Sequence, residues 1–178
     1  GVLTKLQREL GITFVYVTHS QSEAFAMADR VVIMAKGEIA QIGSARDIYR
    51  TPANRFVAEF VGRNNILSGR AAKGNVVETP AGPLTVGEKI TPDTDVTFVV
   101  AADRLTVSAT RPASGNVIAA QFISEEFIGA MVTLFLEAAG GQELKVQVQE
   151  RALGEFSREP GQQLFLSFDP AHAHVLKG

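Results

Sequence analysis

The residue in this sequence best placed for chemistry is His19. It follows the apolar run Ile12–Val17 (ITFVYV) and precedes Ser20, a residue type that caps helices. A run that is apolar throughout and rich in β-branched and aromatic residues is typical of a strand buried on both faces of a parallel sheet. A side chain at the carboxyl end of such a strand points into the crevice where open α/β sheets bind ligands. Position alone favours a capped or buried histidine over a functional one.

Three other groups of residues could do chemistry. His172 and His174 lie two apart without a third ligand beside them, which favours solvent-facing side chains over a metal pair. Glu125 and Glu126 are adjacent, and adjacent residues of a strand point to opposite faces, so a solvated turn is expected instead of a catalytic pair. Six phenylalanines could stack nucleic-acid bases, but we expect them in the core: Phe122, Phe127, Phe135, Phe156, Phe165 and Phe168.

Composition excludes several classes of function. The chain has 178 residues, 46% of them hydrophobic, with a net charge of −2 and no cysteine, which rules out disulfides and thiolate metal sites. No apolar run approaches the ~20 residues that span a bilayer, so no direct membrane insertion is expected. Residues 63–178 carry 10 Lys and Arg against 13 Asp and Glu, and this acidic balance argues against nucleic acid as a partner.

The first 62 residues alternate short helices with apolar strands. Ser20 and Glu23 fit a capping box that would start a helix over 22–29. Gly37 fits the turn of a hairpin between Val31–Met34 and Glu38–Ile42. Two more short helices are predicted, one capped by Ser44 and one opened by Pro52, the second with an apolar face made of Phe56, Val57, Phe60 and Val61.

The sequence pattern predicts no helix within residues 63–178. Short segments separated by Gly and Pro turns alternate apolar and polar residues, most cleanly over 143–149, and Gly140–Gly141 is suited to the turn before that strand. Several short strands at this spacing favour a small antiparallel barrel or sandwich. No internal repeat is evident.

We therefore predict an α+β chain with two domains, 1–62 and 63–178. A doubly buried strand needs strand neighbours, and residues 1–62 supply no long crossover to a parallel partner. The first domain is accordingly expected to be the end of a larger α/β domain, and the second an all-β barrel.

Residues 10–62 closely resemble the end of the ATP-binding subunit of ABC-type importers, in the branch that serves polyamines, iron and sugars. Residues 63–178 resemble the transport-associated OB (TOBE) domain that follows, through the segments FIGAMVTLFLEA (127–138) and PGQQLFLSFDPAHAHVL (160–176). The resemblance implies that 1–62 is the remnant of a P-loop-type α/β ATPase domain and that 63–178 is an OB-fold-like barrel.

The resemblance also implies a role for each part. His19 matches the switch histidine of the family, which donates a hydrogen bond to the ATP γ-phosphate, and ATP and Mg²⁺ would be cofactors of the full-length protein only. The expected partners are a second copy of the subunit and a transmembrane permease, on the cytoplasmic face of the cell membrane. The 178 residues contain no P-loop motif, so this chain alone is not expected to bind or hydrolyse ATP, nor to hold a metal.

The sequence departs from the family pattern at two places. Ser20 replaces the usual Asp after the histidine, and Ala101 and Ala102 stand where the family tends to have Arg and Pro. We expect the transported solute to be a polyamine, and only the resemblance indicates this. Alternative functions are a stand-alone OB module that binds a small oxyanion such as molybdate, and a nucleic-acid-binding OB module. With the strand Ile12–Val17 lacking neighbours, we also expect a dimer or a larger assembly, or a non-native packing of residues 1–62.

Overall fold

The structure is a computed structural model that describes residues 1–153 and 158–177. It divides into two compact units, Gly1–Val61 and Gly62–Gly178. The first unit contains four short helices and one hairpin: α1 (Val2–Leu10), α2 (Gln21–Met27), β1 (Val31–Ala35), β2 (Glu38–Gly43), α3 (Ala45–Arg50) and α4 (Arg55–Val61).

The hairpin of the first unit forms as the sequence predicts. Strands β1 and β2 pair antiparallel, with a bulge between Ile33 and Met34. Both residues of the connecting turn have positive φ, 51° at Lys36 and 79° at Gly37, which is the backbone of the tight turn that suits twisted strands. The hairpin and the last two helices share a small buried core of Val31, Ile33, Ile48, Val57 and Val61.

The predicted strand Ile12–Val17 is wrong. These residues follow α1 as irregular chain, and Val15 and Val17 are 88% and 91% exposed. A strand exists only where a neighbour pairs with its backbone, and none of the described strands pairs with this segment. The parallel layer that the sequence predicts is therefore not formed among the described residues.

The last helix of the first unit begins three residues later than Pro52 suggests. The Asn54 side chain accepts a hydrogen bond from the Val57 N–H at 3.0 Å and caps α4. The helix buries Val57, Ala58 and Val61, while Phe56 and Phe60 are exposed and stack on each other with ring centroids 5.9 Å apart. The predicted apolar face was thus half wrong.

The second unit is all β apart from short 3₁₀ turns. Its ten strands are β3 (Asn64–Ala72), β4 (Val76–Thr79), β5 (Gly82–Thr85), β6 (Asp95–Ala101), β7 (Thr106–Ser108), β8 (Asn116–Ile128), β9 (Met131–Ala138), β10 (Gln142–Gln149), β11 (Gln163–Phe168) and β12 (His174–Val175). They form two antiparallel five-stranded sheets, ordered β12-β6-β3-β4-β5 and β10-β9-β8-β11-β7. The coarse expectation of a small antiparallel β domain is confirmed, and with it the strand at 143–149.

The two sheets have the same topology, a repeat that is not evident in the sequence. In each sheet the first strand (β3 or β8) lies at the centre, a meander extends from one side of it, and a later strand (β6 or β11) pairs on the other side. The outermost short strands are exchanged: β7 follows β6 in the chain but pairs with β11, and β12 follows β11 but pairs with β6. This exchange joins the two repeats into one unit.

A single core lies between the two sheets. Alternate residues of every long strand enter it, as period-2 patterning requires. Fully buried members come from both repeats and include Leu67, Val77, Leu84, Phe98, Ile118, Leu134, Val146, Leu164 and Leu166. Overall the described chain is mostly β, and its helices all belong to the first unit except for the 3₁₀ turns.

Candidate functional site

His19 lies in the bend between the irregular segment 12–17 and helix α2, and it is exposed. Helix α2 starts at this place because the Ser20 hydroxyl accepts the Glu23 N–H at 3.3 Å. Serine in place of the family's aspartate therefore still caps the helix. The imidazole makes no hydrogen bond to any residue that the structure describes.

Two residues shortly before His19, Tyr16 and Thr18, are held by one carboxylate. Glu23 accepts a hydrogen bond from the Tyr16 hydroxyl and another from the Thr18 hydroxyl, each at 3.2 Å. Thr18 in turn accepts the Ser20 N–H at 2.9 Å. The capping box predicted from Ser20 and Glu23 is therefore only half right, because Thr18 takes the N–H that Glu23 was expected to receive.

Tyr16 and Thr18 are positioning residues that the sequence analysis missed. Their hydroxyls tie the turn around His19 to the first turn of α2, which fixes the backbone on both sides of the imidazole. A neutral or protonated imidazole held in this way can donate a hydrogen bond to an anion such as a phosphate oxygen. A Tyr or Thr two or four residues before a helix cap is the sequence signal that could have found them.

The described residues show no metal-binding cluster around His19. Among residues 1–153 and 158–177, no group of three or more His, Cys, Asp or Glu side chains could hold a metal ion. No helix within those ranges has the length and apolarity to cross a membrane. The His19 turn thus presents one exposed imidazole as a potential hydrogen-bond donor.

The histidines of the AHAH motif serve the second unit structurally. His174 lies 3.2 Å from Glu88 through its Nδ1 atom, and the same carboxylate accepts the Val175 N–H at 3.1 Å. His174 is half-buried by this contact, so the expectation of a solvent-facing side chain is wrong for it. His172 is exposed, and its Nε2 lies 3.0 Å from a guanidinium nitrogen of Arg104.

Glu125 and Glu126 lie within strand β8, not in a turn as expected. Glu125 forms an ion pair of 2.9 Å with Arg158, and Glu126 faces the opposite side of the strand.

The six phenylalanines that were expected in the core differ in burial. Phe122 and Phe168 are buried as expected, Phe135 and Phe165 are half-buried, Phe127 is 59% exposed, and Phe156 lies outside the described residues.

Ala101 and Ala102 stand where the resemblance predicts Arg and Pro; Ala101 ends strand β6 and Ala102 begins the 3₁₀ turn that follows. Both are buried, and the Ala102 N–H donates to the carbonyl of Arg63 at 2.9 Å. Positions 101 and 102 therefore contribute only small apolar side chains to this corner of the second unit.

Comparison with known proteins identifies both parts of the chain. Residues 98–176 match the TOBE domain family. A spermidine/putrescine import ATP-binding protein PotA of Rubrobacter xylanophilus is 36% identical over 187 residues, which cover 99% of this chain and 48% of that protein. The corresponding protein of Frankia alni is 32% identical over 98% of this chain and 41% of its own length.

A shorter match at higher identity comes from the PotA protein of Aster yellows witches'-broom phytoplasma, which is 60% identical over 67 residues, 38% of this chain and 16% of that protein. Among solved structures, the cytoplasmic molybdate-binding protein ModG superposes with a TM-score of 0.56 at 16% identity, over 64% of this chain and 96% of ModG. That likeness establishes the fold. The chain spans about half the length of the curated relatives it matches over its full extent. The chain is therefore similar to the C-terminal region of ABC-type importer ATP-binding subunits, and its residues 98–176 match the TOBE domain.

Proposed function

We propose that this chain acts as the C-terminal part of the ATP-hydrolysing subunit of an ABC importer, and that the importer takes up a polyamine. The alignment of nearly the whole chain with spermidine/putrescine import ATP-binding proteins carries this proposal. In the complete subunit, residues 1–62 would end a P-loop-type ATPase domain, and residues 63–178 would be a regulatory domain that also stabilises the dimer.

The exposed segment Ile12–Val17 supports this assignment. Five of its six residues are exposed large hydrophobics, and their exposure to water costs free energy that burial in a sheet would recover, at roughly 25 cal/mol per Å² of apolar surface. In the proposed subunit, parallel strands pair with this segment on both sides and form the sheet of the ATPase domain. His19 then lies at the carboxyl edge of that sheet, which is where open α/β sheets bind their ligands.

The role proposed for His19 follows from its chemistry. Its imidazole would donate a hydrogen bond to a γ-phosphate oxygen and stabilise the charge that develops during phosphoryl transfer. ATP and Mg²⁺ would be held mainly by residues outside this chain. Tyr16, Thr18 and Glu23 hold the turn in place and contribute no donor of their own to the phosphate.

The assembly proposed for the complete protein has two copies of this subunit bound to transmembrane permease subunits on the inner face of the cell membrane. The lack of a membrane-spanning helix among the described residues fits a subunit that reaches the membrane through partners. The acidic second domain fits protein partners better than nucleic acid.

The experiment that tests this proposal is purification of the native gene product from its source cells, followed by intact mass and ATP hydrolysis. The proposal predicts a product about twice this length that hydrolyses ATP, while the 178-residue chain shows no hydrolysis above the buffer rate. A native product of 178 residues, or hydrolysis by this chain alone, would contradict it.

A further inference from the structure

The second unit carries a concave surface that the proposed ATPase role does not use. A cavity of about 240 Å³ opens over the face of β8, β9 and β10 that points away from the core. It is lined by Arg63, Glu126, Thr133, Phe135, Lys145 and Gln147. Its volume lies below the roughly 300–1,000 Å³ of pockets for drug-sized ligands, so it suits a small metabolite.

The register of the strands fixes how these groups are arranged. Glu126 pairs with Thr133 across β8 and β9, and Thr133 pairs with Gln147 across β9 and β10, so these three form one cross-strand row. Phe135 pairs with Lys145 in the next row on the same face. Three adjacent strands span about 10 Å, which separates the carboxylate at one side of the cavity from the lysine at the other.

The cationic side of the cavity has uncompensated charge. The Lys145 ammonium group donates to the carbonyl of Gly62 at 3.2 Å, which is a neutral acceptor. The Arg63 guanidinium makes no ion pair with any described residue. Glu126 has no ion pair within the described ranges either. The cavity therefore offers two positive groups at one side, one negative group at the other, and the half-buried Phe135 as an apolar surface between them.

In the first repeat, Pro170 contacts the position that corresponds to the cavity wall of the second repeat. Residues 84–87 of the first repeat correspond to residues 144–147 of the second. The correspondence follows from matching hydrogen bonds, because the Asn116 side chain binds the backbone of Thr85 in the same way as the Asn65 side chain binds the backbone of Lys145. In the first repeat Gly87 packs directly on Pro170 and donates to its carbonyl at 2.8 Å. The second repeat has eight-residue strands where the first has four, and this extra length forms the cavity wall.

We propose that this cavity binds a small carboxylate that also carries a hydrogen-bond donor, of the α-hydroxy or α-amino acid class. The carboxylate pairs with Lys145 and Arg63 as a charge-assisted hydrogen bond, and the hydroxyl or ammonium group donates to Glu126. The Glu126 carboxylate repels a doubly charged oxyanion such as sulfate or molybdate. The two cations repel a polyamine, so the ligand is distinct from the proposed cargo.

The test is a titration of the ¹⁵N-labelled 178-residue chain with L-lactate, followed by the amide shifts of Thr133, Phe135 and Gln147. Propionate lacks the hydroxyl of lactate, and lactamide lacks its charge, so both are matched controls. Lactate is expected to shift these amides with a saturable curve in the millimolar range, and each control is expected to bind several-fold more weakly.

Three variants separate binding from folding. Lys145→Met keeps the alkyl stem and the backbone bonds of residue 145, and it is expected to weaken lactate binding by about tenfold, as the loss of a charged hydrogen bond does. Lys73→Met, an exposed lysine outside the cavity, is the control and should leave binding unchanged. Glu126→Gln should weaken lactate and strengthen propionate.

The proposal is overturned if lactate produces no shifts at these amides, if propionate binds as tightly as lactate, or if Lys145→Met binds like the parent chain. Tighter binding of sulfate or molybdate than of lactate at the same amides would also overturn it, because it would show that Glu126 does not exclude a doubly charged anion. These outcomes are independent of ATP hydrolysis.

Discussion

Asn65 and Lys145 join the two sheets of the second unit through two hydrogen bonds in opposite directions. The Asn65 side chain accepts the Lys145 N–H at 2.6 Å and donates to the Lys145 carbonyl at 2.8 Å. Asn116 makes the same pair of bonds with Thr85, both at 2.8 Å. Each amide belongs to the central strand of one sheet and binds the outer strand of the other sheet, so the open edge of that outer strand is partly covered.

Because of these amide hydrogen bonds, we expect that substitution of Asn65 or Asn116 strongly destabilises the second unit, although nothing in the sequence singles out either residue. Asn65 and Asn116 are 2% and 4% exposed, and removing either amide leaves a buried N–H and a buried carbonyl without a partner. Each unpaired group costs about 1–3 kcal/mol, so Asn65→Ala and Asn116→Ala should each lower the free energy of unfolding by roughly 2–4 kcal/mol. Urea denaturation followed by circular dichroism measures this.

Gln121→Ala is the matched control for the bridges, since Gln121 is an exposed polar residue of the same strand as Asn116. It should change the free energy of unfolding by less than about 0.5 kcal/mol. A loss at Asn65 or Asn116 as small as at Gln121 would show that the bridges do not stabilise the unit.

Gly69 is predicted to tolerate no side chain. A Cβ added there would lie 2.9 Å from Cγ1 of Val77 and 2.8 Å from the backbone carbon of Glu78, on the neighbouring strand β4. Because backbone cannot move aside cheaply, Gly69→Ala should destabilise the second unit by about 1–3 kcal/mol. Ala72→Ser, near the end of the same strand and half-buried, serves as the control. Equal melting temperatures for Gly69→Ala and Ala72→Ser would contradict the close approach of Gly69 to strand β4.

The exposed segment Ile12–Val17 is predicted to matter for association and not for the stability of the first unit. Replacing both Val15 and Val17 by serine should change the free energy of unfolding by less than about 0.5 kcal/mol, since both are exposed. The same replacement should reduce self-association in light scattering, because it removes apolar surface. Ile48→Ala, at a fully buried position, should instead cost about 2–5 kcal/mol.

Either of two results would refute that prediction. A double serine variant that is destabilised as much as Ile48→Ala would mean that the segment is buried within its own unit. Unchanged scattering at high concentration would mean that it does not drive association.

Helix α3 carries a pH-dependent cap. The hydrogen bond from the Ser44 hydroxyl and a second one from the Ser44 backbone N–H hold the pKa of Asp47 below its ordinary value. The ionised carboxylate therefore stabilises the helix start at neutral pH, and this contribution is lost as the pH falls below about 4 through the lowered pKa. Ser44→Ala should raise the pKa of Asp47, measured by ¹³C NMR of its carboxyl group. An unchanged titration would exclude the hydrogen bond as the cause.

Local signals in the sequence predicted those elements whose structure depends on local contacts. The Lys36–Gly37 turn, the Ser44 cap and the alternation over 143–149 were each confirmed, because turn geometry, capping and pleat periodicity act within a few residues. The strand at Ile12–Val17 was not formed, because strand structure depends on neighbours that composition cannot supply.

The repeat of the second unit escaped sequence analysis for a different reason. Its two halves differ in strand length, four residues against eight in β5 and β10, and their last strands are exchanged between sheets. Tyr16 and Thr18 escaped because a hydroxyl that positions a turn is not distinguishable from any other polar residue until its partner, Glu23, is located in space. His19 itself was found from the motif, and its catalytic role stays a prediction.

The most direct test of the central claim is ATP turnover by the complete native subunit carrying His19→Ala. ATP hydrolysis should fall by about 10²–10³-fold, the usual loss when one donor to a developing oxyanion is removed. Binding of a labelled ATP analogue should stay within a few-fold of the parent, because the phosphates are held mainly by other residues. Hydrolysis within twofold of the parent protein would contradict the claim that His19 acts on the γ-phosphate.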